Sequence, residues 1–300
     1  QLQNAYPLLY EYLKETPDLN LNEGQKWISQ YIDEYKNAKI LNKYTSKIKE
    51  FIHLKNKDEY SFFDWYMPIR TPQSALSSFD IDKFYWIDGI GVEWISLIYE
   101  TIKKHTKLSV VHFEITKTNL PSTTEINRYP DYEKKGDLDS FIHQNLYKYP
   151  NSIIAEINLV YSIIEDIISK LHNQTIAIVS DHGFTSLPRL VDSKRLNLND
   201  EHEGRCALAD PKFNISSEDY IVYKNSSSKY IVALKHASIG DKPKRESHGG
   251  CTPEEVLVPT IIISDKIKRD TSINSGEIDV KAKNIKDNSS EKGYEEIDLF

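Results

Sequence analysis

The chain has 300 residues and a mass of 34.8 kDa, enough to build a sizeable core without disulfides or a structural metal. Its 39% hydrophobic and 28% charged residues, with a mean hydropathy of −0.54, exclude a largely disordered protein, and no apolar run approaches the roughly 20 residues of a membrane helix. A formal charge of −7 argues against wholesale electrostatic binding of nucleic acid, and two cysteines, Cys206 and Cys251, form neither a disulfide framework nor a CxxC metal pattern.

A reducing, cytoplasmic setting is therefore expected, with no membrane partner. No signal peptide opens the chain. It begins at Gln1 and its one methionine is Met67, so a piece of a longer protein is expected.

From 1 to 56 the pattern is helical. Trp27, Ile28, Tyr31, Ile32 and Tyr35 recur at spacings of three and four, and Leu41, Tyr44, Ile48, Phe51 and Ile52 repeat the pattern. These helices read as structural, with no chemistry of their own. After a Pro-containing transition the character changes. Phe84-Tyr85-Trp86-Ile87, stopped by Asp88-Gly89, predicts a buried strand ending in a tight turn. A helix follows over 93–104 and a second strand over 108–115. The run 149–171 has the period of an amphipathic helix, and Thr175-Ile176-Ala177-Ile178-Val179 is a third strand. Alternating strands and helices predict an α/β fold with a mostly parallel sheet covered by helices. Three further strands are expected at 220–223, 229–234 and 256–263. From Asp265 the chain turns polar and charge-rich, as a tail or linker would.

In such a sheet, ligands collect beyond the carboxyl ends of the strands. Asp88, the triplet Asp181-His182-Gly183 and the loop Ser247-His248-Gly249-Gly250 each place metal-type donors beside glycine at a turn. Hard carboxylates with imidazoles suit Zn²⁺ or Mn²⁺. The plain alternatives are an ordinary Asp-Gly turn, a histidine satisfied under a loop, and a glycine-rich surface loop.

The order of Asp88-Gly89, Leu120-Pro121-Ser122-Thr123-Thr124, Ser180-Asp181-His182-Gly183-Phe184 and the stretch from Ser247-His248-Gly249-Gly250 through Glu254-Glu255-Val256-Leu257-Val258-Pro259 resembles the motifs of the PglZ family. That family belongs to the alkaline phosphatase superfamily and occurs in BREX phage-defence systems; the wording around Phe84 to Trp94 is most similar to type 4 members. The resemblance covers about 60–264. It implies an N-terminal helical segment over 1–80, an alkaline phosphatase-like domain over 81–264, and a tail over 265–300.

It also implies two ions, Zn²⁺ first and Mn²⁺ as the alternative. One would be held by Asp88, a nucleophilic threonine, Asp181 and His182. The second would take His248 with an Asp and a His. Asp139 and His143, four apart and so on one face of a helix, fit those roles, with Asp137 competing and a solvated helix face as the plain reading. PglZ relatives have a strand-like Tyr-His-Asn stretch here, whereas the polar run 133–139 predicts no strand. The family's Pro-Ser-x-Thr pattern assigns the nucleophile to Thr124, with Thr123 adjacent and Thr118 more distant; Asn119 cannot attack. Arg205 is the candidate phosphate-binding cation, with a surface arginine as the plain reading, and His202 a supplement to the metal set or a solvated residue. The activity implied is a metal-dependent phosphoesterase within a BREX assembly that includes a methyltransferase. The alternatives are a degenerate scaffold for other defence subunits and a metal-dependent nuclease acting on DNA.

Overall fold

The computed structural model describes residues 1–266 apart from 18, 20, 197, 199, 211–216, 226 and 227. Six helices come first: α1 (Leu2–Ala5), α2 (Pro7–Tyr12), α3 (Trp27–Leu41), α4 (Ser46–Lys55), α5 (Glu59–Tyr66) and α6 (Pro72–Leu76). Then follow β1 (Lys83–Ile87), α7 (Ile95–Lys103), β2 (Ser109–Lys117), β3 (Glu133–Lys135), α8 (Asp137–His143), α9 (Ile153–Ser169) and β4 (Thr175–Val179). The last elements are β5 (Asp200–Glu201), β6 (Cys206–Leu208), β7 (Tyr220–Lys224), β8 (Lys229–Ala233), α10 (Pro253–Val256) and β9 (Leu257–Ser264).

The helical spacings translate into buried faces. Trp27, Ile28, Tyr31, Ile32 and Tyr35 of α3 enter the core, and the helix stops at Asn42, whose left-handed φ of 49° closes its last turn. Thr45 caps α4 by accepting from the Ile48 N–H. Leu41, expected on an apolar face, is instead exposed at the end of α3. One continuous core runs from these helices through the sheet to β9, so segment 1–80 packs directly on the rest. Among the described residues no helix is long and apolar enough to cross a membrane. The expected tail falls on 267–300, outside the described residues.

The main sheet has the order β2-β9-β4-β1-β3. β1 is parallel to both β3 and β4, whereas β9 is antiparallel to both β2 and β4. Four strands thus point one way and β9 the other: the expected parallel order holds across β4, β1 and β3 and is broken at β9, so the α/β sheet is mixed. The run 133–139 does contain a strand: β3 pairs with β1 through Tyr85↔Glu133 to Ile87↔Lys135. Its polar composition is that of a short edge strand, where charge guards an open side. The strands expected at 220–223 and 229–234 do not extend this sheet. They form, with β5 and β6, a separate antiparallel sheet of order β5-β6-β8-β7.

Behind the sheet sits a buried ion cage. Lys39 of α3 sends its Nζ to Glu93, Glu156 and Glu246 at 3.1, 2.8 and 2.9 Å, all three buried. Tyr147 Oη bonds Glu156 and Glu246 at 3.0 Å, Tyr12 donates to Glu93 at 2.6 Å, and the Trp94 ring lies 5.0 Å from the ammonium. Burial, with repulsion from Glu246, outweighs Lys39 and pushes Glu156 up to about 8 and Glu93 up to about 7. Replacing Lys39 by Met strands three buried carboxylates and is expected to lower the unfolding free energy in urea by about 3–5 kcal/mol. The glutamates hold protons in the fold that the unfolded chain releases near 4.5, so their contribution is full below that value and is lost as pH rises through about 7 to 8. Glu156→Gln should therefore flatten the decline of unfolding free energy across that window; a slope matching wild type contradicts the assignment.

Candidate metal centre

Because β9 runs against its neighbours, its amino end lies at the same edge as the carboxyl ends of β1, β2, β3 and β4. Every strand of the main sheet therefore delivers a segment to one edge. Asp88 follows β1 directly. The loop bearing Thr124 follows β2, α8 with Asp139 and His143 follows β3, and Asp181-His182 follow β4. His248 comes from the loop that leads into α10 and β9.

Asp88, Asp181 and His182 converge, with their candidate ligand atoms within 4.8 Å of one another. The His182 Nε2 lies 3.2 Å from Asp88 Oδ1 and 3.7 Å from Asp181 Oδ2. Thr124 Oγ1 enters the same set, 3.2 Å from Asp88 Oδ1 and 3.2 Å from His182 Nε2. Gly89 makes the tight turn after Asp88 with φ +87°, and its N–H donates to Asp181 Oδ1 at 3.2 Å; a Cβ there would lie 2.3 Å from the Phe184 ring.

A second set, Asp139, His143 and His248, meets within the same 4.8 Å limit. The spacing of four in α8 does put Asp139 and His143 on one face, 3.1 Å apart. The ring of His248 stacks on that of His182 with centroids 3.8 Å apart and planes 3° from parallel, so the two sets adjoin. His248 Nδ1 faces the Ser122 carbonyl at 3.2 Å and donates to it, which leaves Nε2 as the acceptor nitrogen. His202 is no solvated residue: its Nδ1 lies 3.2 Å from His248 Nε2, and the left-handed φ values at His202 (49°) and Glu203 (55°) turn it inward.

The charges in the two sets are unequal. Burial opposes ionisation of Asp88, but His182 and Lys134 outweigh it and hold the carboxyl well below its usual range. Asp181 is pushed up to about 6 by burial and by the Asp88 charge against the pull of His182. His182 is pushed up to about 9, because Asp181 and Asp88 outweigh its burial. Burial, then His182 and His202, hold His248 well below the ordinary imidazole value, in the neutral form a cation needs.

The loop carrying Thr124 is held by two side chains with no obvious mark in the sequence. Asn127 Nδ2 donates to the carbonyls of Asn119, Pro121 and Thr123, and Asn127 Oδ1 accepts from the Asn119 N–H at 2.7 Å. Ser122 Oγ donates to Gly250 O at 2.8 Å and accepts from the Gly249 N–H, tying this loop to that of His248. Of the three threonines, Thr124 carries its hydroxyl into the cluster. Thr118 is buried, with Oγ1 donating to Val256 O at 3.4 Å, and Thr123 is buried beside Asn127. Asp137, at the first turn of α8, stands outside the converging sets.

Arg205 is not where a phosphate-binding cation is needed. It is fully buried, with Nε and Nη2 donating to Glu255 at 2.9 and 2.7 Å and the other donors to the carbonyls of Ala237 and Lys235. Its guanidinium serves as counter-ion to a buried carboxylate. A cation missed in the sequence does reach the site: Lys134 Nζ lies 2.5 Å from Asp88 Oδ2.

Both sets fit a divalent cation. Asp181 Oδ2 is buried without a hydrogen-bond partner, a costly arrangement that a cation between the carboxylates and His182 relieves. A separate and fully buried acidic group, Glu93, Glu156 and Glu246, already holds the Lys39 ammonium. No protein-family model matches the chain, and no curated protein matches it in sequence. Elemental analysis of purified protein is expected to find two divalent ions per chain. Asp139→Ala or His143→Ala should reduce that toward one, and the double change Asp181→Ala with His182→Ala should remove the ion beside Thr124. Metal content unaltered in all three variants contradicts the assignment.

Proposed function

We propose that the chain is a metal-dependent phosphoric-ester hydrolase with an alkaline phosphatase-like arrangement, acting as a PglZ-type component of a BREX phage-defence assembly beside a methyltransferase or other subunits. The observation that carries this reading is the position of Thr124, whose hydroxyl lies 3.2 Å from both Asp88 and His182 in the first cation set, with the second set adjoining through the stacked histidines. Divalent ions, Zn²⁺ on this donor set with Mn²⁺ as the alternative, supply Lewis acidity for a hydroxyl whose own ionisation is far out of reach at neutral pH.

The chain's own groups account for the rest. Thr124 Oγ1 forms a bond to phosphorus as the bond from phosphorus to the leaving oxygen breaks. The hydroxyl proton departs along the hydrogen bond to Asp88 Oδ1 and passes on to water, and the leaving oxygen takes up a proton from water. Water then cleaves the bond between phosphorus and the threonine oxygen, restoring the hydroxyl and releasing phosphate from a monoester or a phosphomonoester from a diester. Asn127 and Ser122 keep the nucleophile's loop in register with His248 throughout.

A compact phosphoester suits the surroundings better than duplex DNA. The neighbouring cleft of about 520 Å³ carries Lys242, Lys244 and Arg245 against Asp200, Glu203 and Asp241, and Arg245 is already bonded to Glu203 and to the His143 carbonyl. Such balanced charge makes no positive track for a phosphate backbone. Aryl phosphate monoesters and diesters assayed with Zn²⁺ or Mn²⁺ should be hydrolysed by wild type. Thr124→Ala should lose about 10³-fold or more in kcat with metal content kept, while Thr123→Ala stays near wild type. Full activity in Thr124→Ala refutes the covalent route, and a fully metallated wild type without turnover points to the scaffold reading.

A further inference from the structure

A site that receives phosphate esters among three carboxylates needs a cation to meet the substrate's charge, and Arg205 is committed elsewhere. Among the described residues, Lys134 is the one lysine or arginine paired with Asp88, Asp139 or Asp181. It sits on the edge strand β3, in register with Trp86 of β1, and the Trp86 ring lies 4.5 Å beneath its ammonium. The indole face and Asp88 Oδ2 fix the Nζ, yet the side chain is 45% exposed. An ammonium has three N–H donors, and Asp88 takes one.

The two oxygens of Asp88 face different ways. Oδ1 meets Thr124 and His182, and Oδ2 meets Lys134. The nucleophilic hydroxyl and the ammonium therefore flank a single carboxylate.

We propose that Lys134 is a substrate-binding residue whose ammonium holds the non-bridging oxygens of the phosphoryl group presented to Thr124. The proposal rests on the phosphoesterase reading above and assigns to β3 the role that the sequence suggested for Arg205. A point charge with rotatable donors suits an anion that changes from ester to free phosphate during turnover.

The test uses the full chain loaded with Zn²⁺ and inorganic phosphate as the probe, by titration calorimetry, with elemental analysis on the same samples. Lys134→Ala should weaken phosphate binding at least 10-fold with two ions retained, and Lys134→Arg should recover most of the affinity. KM for an aryl monoester should rise in parallel. Phosphate affinity within twofold of wild type in Lys134→Ala, with wild type binding phosphate normally, overturns this proposal alone. Loss of metal in Lys134→Ala also overturns it, since the lysine then only positions Asp88. Metallated wild type that neither binds phosphate nor cleaves esters overturns the phosphoesterase reading, and this proposal with it.

Discussion

Three loops of this protein meet at a place with no room for a side chain. A Cβ on Gly183 would lie 2.2 Å from the Glu254 carbonyl oxygen and 2.5 Å from Gly91 Cα, and one on Gly91 would lie 2.8 Å from the same oxygen. The Gly183 N–H also donates to Glu255 O at 3.0 Å. This contact of backbone on backbone locks the turns after β1 and β4 against the segment entering β9. The contact constrains the spacing between Asp88, the Asp181-His182 pair and the His248 loop.

Such a contact requires the Glu254-Glu255 segment to be buried, and two buried carboxylates require compensation. The small sheet supplies it. Arg205, at the start of β6, neutralises Glu255, while His236, just after β8, lies 2.9 Å from Glu254. Tyr31 and Thr185 complete the Glu254 shell at 2.5 Å each. On the other side, Glu246 stands two residues before His248 and is gripped by Lys39, which also holds Glu93 just beyond Gly91. The front helices are thus structural, as their sequence suggested, but they reach the site electrostatically through one ammonium.

What could be read from the sequence follows a physical division. Thr175–Val179 was legible because a strand buried on both faces is continuously apolar, and Asp139 with His143 because a helix repeats nearly every four residues. The direction of β9 was not legible, since a strand covered on both faces carries the same apolar run whichever way it points. β3 was hidden because it is short, polar and paired on one side. The burial of Arg205 against Glu255 and the approach of Lys134 to Asp88 were hidden for a related reason. A charged residue's partner is set by tertiary contact: Glu255 lies fifty positions from Arg205, and Asp88 follows a different strand from the one that carries Lys134. His202 was obscured by an acidic loop whose left-handed turn cannot be inferred from residue types that rarely adopt it.

The reversed direction of β9 also decides where the fold can be handled. Having begun beside the two candidate ligand sets, the strand finishes at Ser264 on the opposite rim, where Asp265 accepts from the N–H groups of Asn173 and Gln174 and Lys266 pairs with Asp82 at 2.7 Å. That rim holds the starts of β1 and β4 and none of the candidate ligand side chains of the two sets. An affinity handle or fluorophore grafted there, or a sensor surface joined there, begins a full strand length away from the mouth and leaves it facing solution.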